Sequence, residues 1–333
     1  MECRICPHNC GADRRTKLGI CRAPDVPEVA LASLHHWEEP AISGTRGSGT
    51  IFFAHCNLAC IFCQNWDISQ GASERANAEC RMQNAECRTE SDNDEAGAKG
   101  RKLSIERLRE IAFELKAQGA HNINLVSPTP YSEMLLEALL PVKPELGIPV
   151  VWNTNAYELV SELKRLEPLV DVYLPDIKFC DPDVAKRYCG AADYFLQASR
   201  AIGEMAKQKS EVRMQKSEVT RRNPAQEARP SAAVMTQGVI IRHLVIPGQV
   251  EDSKRILKWI ADAIGTEVHT SLMAQYTPAH RAAQFPEVNR RLRHSEYRAV
   301  RDFFYELGFE NGWVQELSAA SSEYTPEFNL RGI

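Results

Sequence analysis

The chain has 333 residues, 44% hydrophobic and 25% charged, with a formal net charge of −4, the balance of an ordinary globular protein long enough to bury a sizeable core. That charge leaves no basic footprint for nucleic acid or an anionic membrane, and no run approaches the roughly 18 apolar residues that a spanning helix needs. The N-terminal stretch MECRICPHNC lacks the charged start and apolar centre of a signal peptide, so the expected compartment is the cytoplasm. Thiols stay reduced there, so the eleven cysteines read as metal ligands rather than disulfides, and seven of them fall before residue 64.

Cys3, Cys6, Cys10 and Cys21 come first, as C-x2-C-x3-C-x10-C. Four thiols this close fill a closed zinc site or complete an iron–sulfur cluster. Their role is either to fold a core-poor segment or to relay an electron. His35, His36, Glu38 and Glu39 follow, offering acid–base groups or a solvated turn. Gly44, Gly47 and Gly49 resemble a phosphate cradle only superficially, because no lysine follows as a Walker sequence needs. Apolar, β-rich runs then recur at Thr50 to Ala54, Asn122 to Val126, Pro149 to Trp152, Asp171 to Leu174, Gly238 to Val245 and Val268 to Ala274.

Helical patterns alternate with these runs. The clearest spans Ser104 to Gln118, where Ile105, Leu108, Ile111, Ala112 and Leu115 share a face, Ser104 caps the start and Gly119 ends it. Others are expected near Tyr131 to Leu140, Tyr157 to Leu166, Pro182 to Tyr188, Tyr194 to Met205, Ser253 to Ile264 and Ser295 to Leu307. Strand and helix in alternation predict a parallel sheet with crossover helices, which carries its site at the carboxyl ends of the strands. Two segments break the pattern. Residues 71 to 100 repeat Asn-Ala-Glu-Cys-Arg, and residues 206 to 236 contain a repeated Gln-Lys-Ser-Glu-Val. Both read as disordered or loosely helical loop insertions, too polar for a coiled-coil seam, and Cys80 and Cys87 are carried by the repeat rather than by a site. Cys180 and Cys189 flank a short helix and read as packing residues.

The chemistry concentrates directly after the first of these strands, where Cys56, Cys60 and Cys63 form C-x3-C-x2-C. Three thiolates on one loop hold three irons of a [4Fe-4S] cube and leave the fourth iron open. A ferredoxin, by contrast, spends four cysteines per cluster. Phe62 stands where an aromatic ring can flank a bound cofactor.

The triplet and its aromatic resemble the signature of the radical S-adenosylmethionine (SAM) superfamily, and HHWEEPAISGTRGSGTIFFAHCNLACIFCQNWDIS is similar to the branch named after pyruvate formate-lyase activating enzyme. With two interruptions the resemblance runs from Cys3 to about Trp313. It implies a partial (β/α)6 barrel, here with a cysteine-rich N-terminal extension and the two loop insertions. It also implies a [4Fe-4S] cluster whose free iron is chelated by SAM, and reductive cleavage to a 5′-deoxyadenosyl radical that abstracts hydrogen. Ser127-Pro128-Thr129 stands where the superfamily usually places Gly-Gly-Glu, so contact with the SAM amine falls to backbone carbonyls and the hydroxyls of Ser127 and Thr129. Asn153, Thr154 and Asn155 would lie near the ribose or a bound monovalent cation. Asp176 and Lys178 match an Asp-x-Lys whose lysine approaches the SAM carboxylate and whose aspartate holds a cation, with an ordinary ion pair as the alternative. Arg242 matches a strand arginine suited to a carboxylate, and His280 is a weaker match that could equally cap a loop.

The organisation expected is a cysteine-rich segment at residues 1–34, a partial barrel at 35–316 and a C-terminal tail at 317–333. The resemblance implies a glycyl-radical-enzyme activase, whose substrate is a glycine Cα–H on a partner protein and whose electrons come from a donor such as flavodoxin or ferredoxin. Two alternatives stay open from the residues: SAM cleavage directed at a small molecule, peptide or nucleic acid, and an iron–sulfur electron carrier or redox sensor without turnover.

Overall fold

The computed structural model describes residues 2–70, 99–216, 233–319 and 326–333. The strands in chain order are β1 (Glu28–His35), β2 (Ser48–Phe53), β3 (Arg101–Lys102), β4 (Ile123–Val126), β5 (Val150–Thr154), β6 (Val172–Pro175), β7 (Arg213–Lys216), β8 (Ala233–Leu244), β9 (His269–Met273) and β10 (Gly312–Val314). They form one open sheet in the order β10-β9-β8-β6-β5-β4-β2-β1-β3, with β7 paired to β8. From β2 to β10 every step along that path is parallel. All six expected strands are present, as β2, β4, β5, β6, β8 and β9. The architecture is mixed α/β with an unclosed parallel sheet, a partial barrel. β2, β4, β5 and β6 are buried along their whole length, as parallel strands covered on both faces must be.

The helix Ile105–Ala117 shows how local sequence sets an element. Ser104 caps it by accepting from the Arg107 backbone N–H, and Leu108, Ile111, Ala112 and Leu115 are buried. Gly119, at φ +95°, then turns the chain in the left-handed region that glycine adopts without strain. Asp181 caps Pro182–Cys189 in the same way. The helix His294–Glu306 begins with Glu296 accepting from the backbone N–H groups of Arg293 (3.0 Å) and Gly248 (2.9 Å) and from both amino nitrogens of Arg290. Hydrogen bonds from Arg290 lead in pulling the Glu296 carboxyl down to about 2 from 4.5. A group held below its unfolded value stabilises the fold above that value and loses the contribution as pH falls through the folded one. Glu296→Gln is therefore expected to destabilise the protein fully above pH 4.5, with the difference from wild type closing toward pH 2; denaturant melts across that range check it.

Period-two alternation sorts the strand side chains. Trp152 of β5 joins the helix-covered core, while Val151, Val172, Leu174 and Ile240 form an inner cluster on the concave face with Ala41 and Ile42. Two residues further along those same rows come Asn153, Asp176 and Arg242. The concave face thus changes from apolar to polar as the strands approach their carboxyl ends.

Four strands differ from the expectation. β1 pairs antiparallel with β2, so it follows no strand–helix alternation. β3 and β10 are short edge strands. β7, antiparallel to β8, lies within the expected second insertion, so residues 213–216 are ordered there. The expected insertion is ordered at its two ends as well, with residues 206–208 closing the helix Tyr194–Gln208 and residues 233–236 opening β8; residues 217–232 and 71–98, with Cys80 and Cys87, lie outside the described residues. The C-terminal tail docks along β1: Leu330 N–H donates to Ala30 O (3.1 Å) and Ala32 N–H to Arg331 O (3.0 Å), while Phe328 packs edge-on to Phe52. No helix among the described residues is long and apolar enough to cross a membrane.

Candidate active site

A cavity opens at the carboxyl ends of the parallel strands, and Cys56, Cys60 and Cys63 all line it. The loop carrying them is tightly laced. Ala59 and Ile61 donate backbone N–H bonds to Cys189 O (3.1 Å) and Tyr188 O (2.9 Å), and Gln70 Nε2 donates to Cys60 O (3.2 Å). His55, at φ +69°, turns the chain out of β2, and its ring is fixed by Glu28 at 2.7 Å. Donors already surround the sulfurs: Asn155 Nδ2 lies 3.3 Å from Cys56 Sγ, Leu58 N lies 3.5 Å from it, and Ser69 Oγ lies 3.3 Å from Cys63 Sγ. Burial pushes the Cys56 thiol up and the Cys60 thiol well above its ordinary value, so both are neutral until a metal displaces the proton.

This donor set fits a three-thiolate [4Fe-4S] cluster. Three soft ligands face one space, with amide and hydroxyl groups able to bond sulfur. Cys189 is close to Cys60 but donates its S–H to Ala185 O (3.0 Å) inside its own helix, and it is not part of the cavity lining. Phe62, as expected, borders the cavity, held edge-on to Phe179 and tilted against Tyr276.

Opposite the cysteines lies a charged floor. Arg242 donates from Nε to Asp176 (2.7 Å), from one amino nitrogen to Glu38 (3.1 Å) and from the other to Asn153 Oδ1 (2.5 Å). Lys178 donates to the other oxygen of Asp176 at 2.8 Å. Glu38 also accepts from Asn124 and Asn153, both at 3.1 Å. Burial alone would raise Asp176, but Arg242 and Lys178 outweigh it and hold the carboxyl below its ordinary value. Burial wins at Glu38 and Glu39, both pushed up despite Arg242. Three carboxylates thus share two cations. The solvated-turn reading of Glu38 and Glu39 is corrected here, since their side chains are only 10% and 7% exposed and reach Arg242 inside the barrel. The loop glycines before β2 serve close packing instead of phosphate, Gly44 against His121 and Gly47 against His36.

Ser127, Asn153, Thr154, Asn155, Asp176, Lys178 and Arg242 all line the cavity with the three cysteines. Two expected residues do not. Thr129 donates its hydroxyl to Glu158 at 3.0 Å, an oxygen that also accepts from Trp152 Nε1 (2.8 Å) and Thr154. His280 stacks on Trp66 with ring centroids 5.5 Å apart and bonds Gln70 at 3.2 Å, which is closer to the loop-capping alternative than to a place in the cavity. Thr129→Val is therefore expected to cost about 1 kcal/mol, the worth of one buried hydrogen bond, while SAM affinity by equilibrium dialysis stays at the wild-type level. A large loss of affinity at unchanged stability would refute that placement. Sequence reasoning passed over Asn57, buried beside Cys56, which donates to Tyr157 O (2.7 Å) and accepts from Asn155 (2.8 Å).

The four N-terminal cysteines line a second, smaller cavity together with Asn57, Thr129 and Pro130. Burial raises Cys6 to about 12 and Cys21 to about 11.

An open α/β sheet with a three-cysteine loop at its carboxyl edge defines a class, and comparison with known proteins identifies a domain within the chain. The model of the Radical SAM superfamily matches residues 50–214, so the chain carries a radical SAM domain; that family implies a [4Fe-4S] cluster and SAM. The chain is 29% identical over 301 residues to an uncharacterized protein of Methanocaldococcus jannaschii, covering 89% of this chain and 72% of that one. Among solved structures, SuiB of Streptococcus suis bound to S-adenosylmethionine superposes with a TM-score of 0.45 at 12% identity, covering 80% of this chain and 49% of SuiB. A domain of pyruvate-formate lyase-activating enzyme from Bacteroides vulgatus gives 0.39 at 12% identity, covering 57% of this chain and 94% of that domain. The FeFe-hydrogenase maturase HydG of Carboxydothermus hydrogenoformans gives 0.42 at 16% identity, covering 82% and 59%. The chain spans about half the length of the SuiB chain it matches.

Proposed function

We propose that this chain cleaves SAM reductively at a cluster held by Cys56, Cys60 and Cys63 and directs the resulting radical at a glycine of a partner protein, as a glycyl-radical-enzyme activase. The observation that carries the first half is the meeting of three thiols and the polar ends of β4, β5, β6 and β8 in one cavity. The bound cluster and SAM supply the one-electron chemistry. The residues supply position. Asn153, Thr154 and Asn155 would hold the ribose, Ser127 the amine, and Lys178 the carboxylate. Arg242 is already engaged by Asp176, Glu38 and Asn153, so it orders the floor beneath SAM and gives the carboxylate at most a shared nitrogen. The resemblance assigns a monovalent cation to Asp176, whose two oxygens are here taken by Arg242 and Lys178. The N-terminal thiols would hold zinc or a second iron–sulfur cluster, and residues 35–316 would be the catalytic unit.

The activase half is supported by the likeness of WNTNAYE, LPDIK and Arg242 to the glycyl-radical activating enzymes. The test is anaerobic reconstitution, reduction by a flavodoxin or ferredoxin, and measurement of 5′-deoxyadenosine, followed by electron paramagnetic resonance on a candidate partner. Cleavage of SAM with a glycyl radical on the partner supports both halves. Cleavage without it sends the radical to another substrate, and a loaded, reduced protein that never cleaves SAM points to an electron carrier.

A further inference from the structure

Asn57 belongs to both cysteine sets. It follows Cys56, and its side-chain oxygen is bonded by the same Asn155 amide that reaches Cys56 Sγ. It also lines the cavity ringed by Cys3, Cys6, Cys10 and Cys21. Its backbone oxygen is 2.7 Å from Nε2 of His8, which stands midway between Cys6 and Cys10 and lines the same cavity. The four-thiol site therefore sits directly on the loop of the three-thiol site. Its Cys3 is as buried as Cys60, both 8% exposed, but its rim reaches the surface at Ile20, which is 44% exposed.

We propose that Cys3, Cys6, Cys10 and Cys21 bind a second [4Fe-4S] cluster and that it is the electron entry point, passing charge to the first cluster along His8 and Asn57; the role rests on the radical SAM reading of the first site. A low-potential one-electron donor of the flavodoxin or ferredoxin class reduces the second cluster by one electron. That electron then moves to the first cluster, returning the second to its oxidised level, with no proton or bond exchanged. Zinc would hold the same ligands, but it has no redox chemistry, and a staple is little needed here. The segment is already fastened by Cys3 N–H to Ala12 O (2.9 Å) and Gly11 N–H to Cys3 O (3.0 Å), and by Arg14 donating to Pro130 O. A seat against the other site's loop, through His8 and Asn57, suits a centre that exchanges an electron with it.

The experiment uses the full chain purified anaerobically. Iron and sulfide are expected at about eight each per chain, the content of two cubanes, without stoichiometric zinc. The Cys6→Ser/Cys10→Ser variant should fall to about four, as should Cys60→Ala, each keeping the paramagnetic signal of the cluster it still ligates. His8→Ala retains every cysteine and should keep both clusters, yet slow reduction of the first cluster by reduced flavodoxin roughly tenfold, leaving reduction by dithionite unchanged. Stoichiometric zinc, wild-type iron of only about four, or an unaltered flavodoxin rate in His8→Ala would each overturn the proposal. If Cys60→Ala instead loses no iron, the reading of the first site fails, which is a separate outcome.

Discussion

Cys60→Ala is expected to lower 5′-deoxyadenosine formation by at least about a hundredfold, the upper end of what losing a mere outer-shell partner costs a metal site. The loss should be total in practice, because a cubane held at three corners has none to spare: with two thiolates left, the irons at the open edge are lost to solvent. The site makes the prediction specific. Cys60 is buried, its carbonyl is tied to Gln70, and the flanking residues Ala59 and Ile61 are bonded to the end of the helix Pro182–Cys189, so no neighbour swings in to replace its sulfur. Cys189 is the control. It is equally buried and close by, but its S–H is spent on Ala185 O, so Cys189→Ala should lose about 1 kcal/mol of stability and keep both the cluster and SAM cleavage. Cleavage at the wild-type rate in Cys60→Ala, or its disappearance in Cys189→Ala, would show that the wrong sulfur had been assigned.

The parts of this molecule legible in its sequence are those written in local periodicity. The helix Ile105–Ala117 announces its cap at Ser104, its buried face and its end at Gly119 in one continuous stretch, and each parallel strand is a short apolar run because both faces are covered. The cysteine triplet is legible because its three ligands share one loop. Glu38 and Glu39 were not, since a pair of charges before a proline looks like a turn until β1 and β2 close as a hairpin and carry the pair over the concave face to Arg242, some two hundred residues away. Thr129 misled for the opposite reason. Its position after β4 matches a cofactor-binding place, but the 3-10 turn Thr129–Tyr131 directs its hydroxyl to Glu158. The contact of His8 with Asn57 is tertiary and has no local signature at all.

The largest stability effect is expected at Arg242. Arg242→Leu removes the cation from a floor where Asp176, Glu38 and Glu39 converge, leaving Lys178 alone against three carboxylates. Its side chain is only 12% exposed, so solvent screens little of the interaction, and removing one partner of a buried ionic group costs about 3–5 kcal/mol. Lysine is no substitute. One ammonium cannot present the divergent donors that now reach Asp176, Glu38 and Asn153. The pH dependence has a definite sign. Asp176 is held below its unfolded value of 3.8, so its contribution is full above that value and is lost as the pH falls through the lower folded one. In Arg242→Leu the carboxyls instead take up protons, which relieves their repulsion in acid. The gap between wild type and variant should therefore be widest near neutrality and narrow steadily as the pH falls through the carboxylate range. Urea unfolding of the metal-free chain at several pH values measures it without reference to activity. A gap under about 1 kcal/mol at pH 7, the worth of an exposed ion pair, or one that widens in acid, would mean that Arg242 is not the charge that holds this floor together.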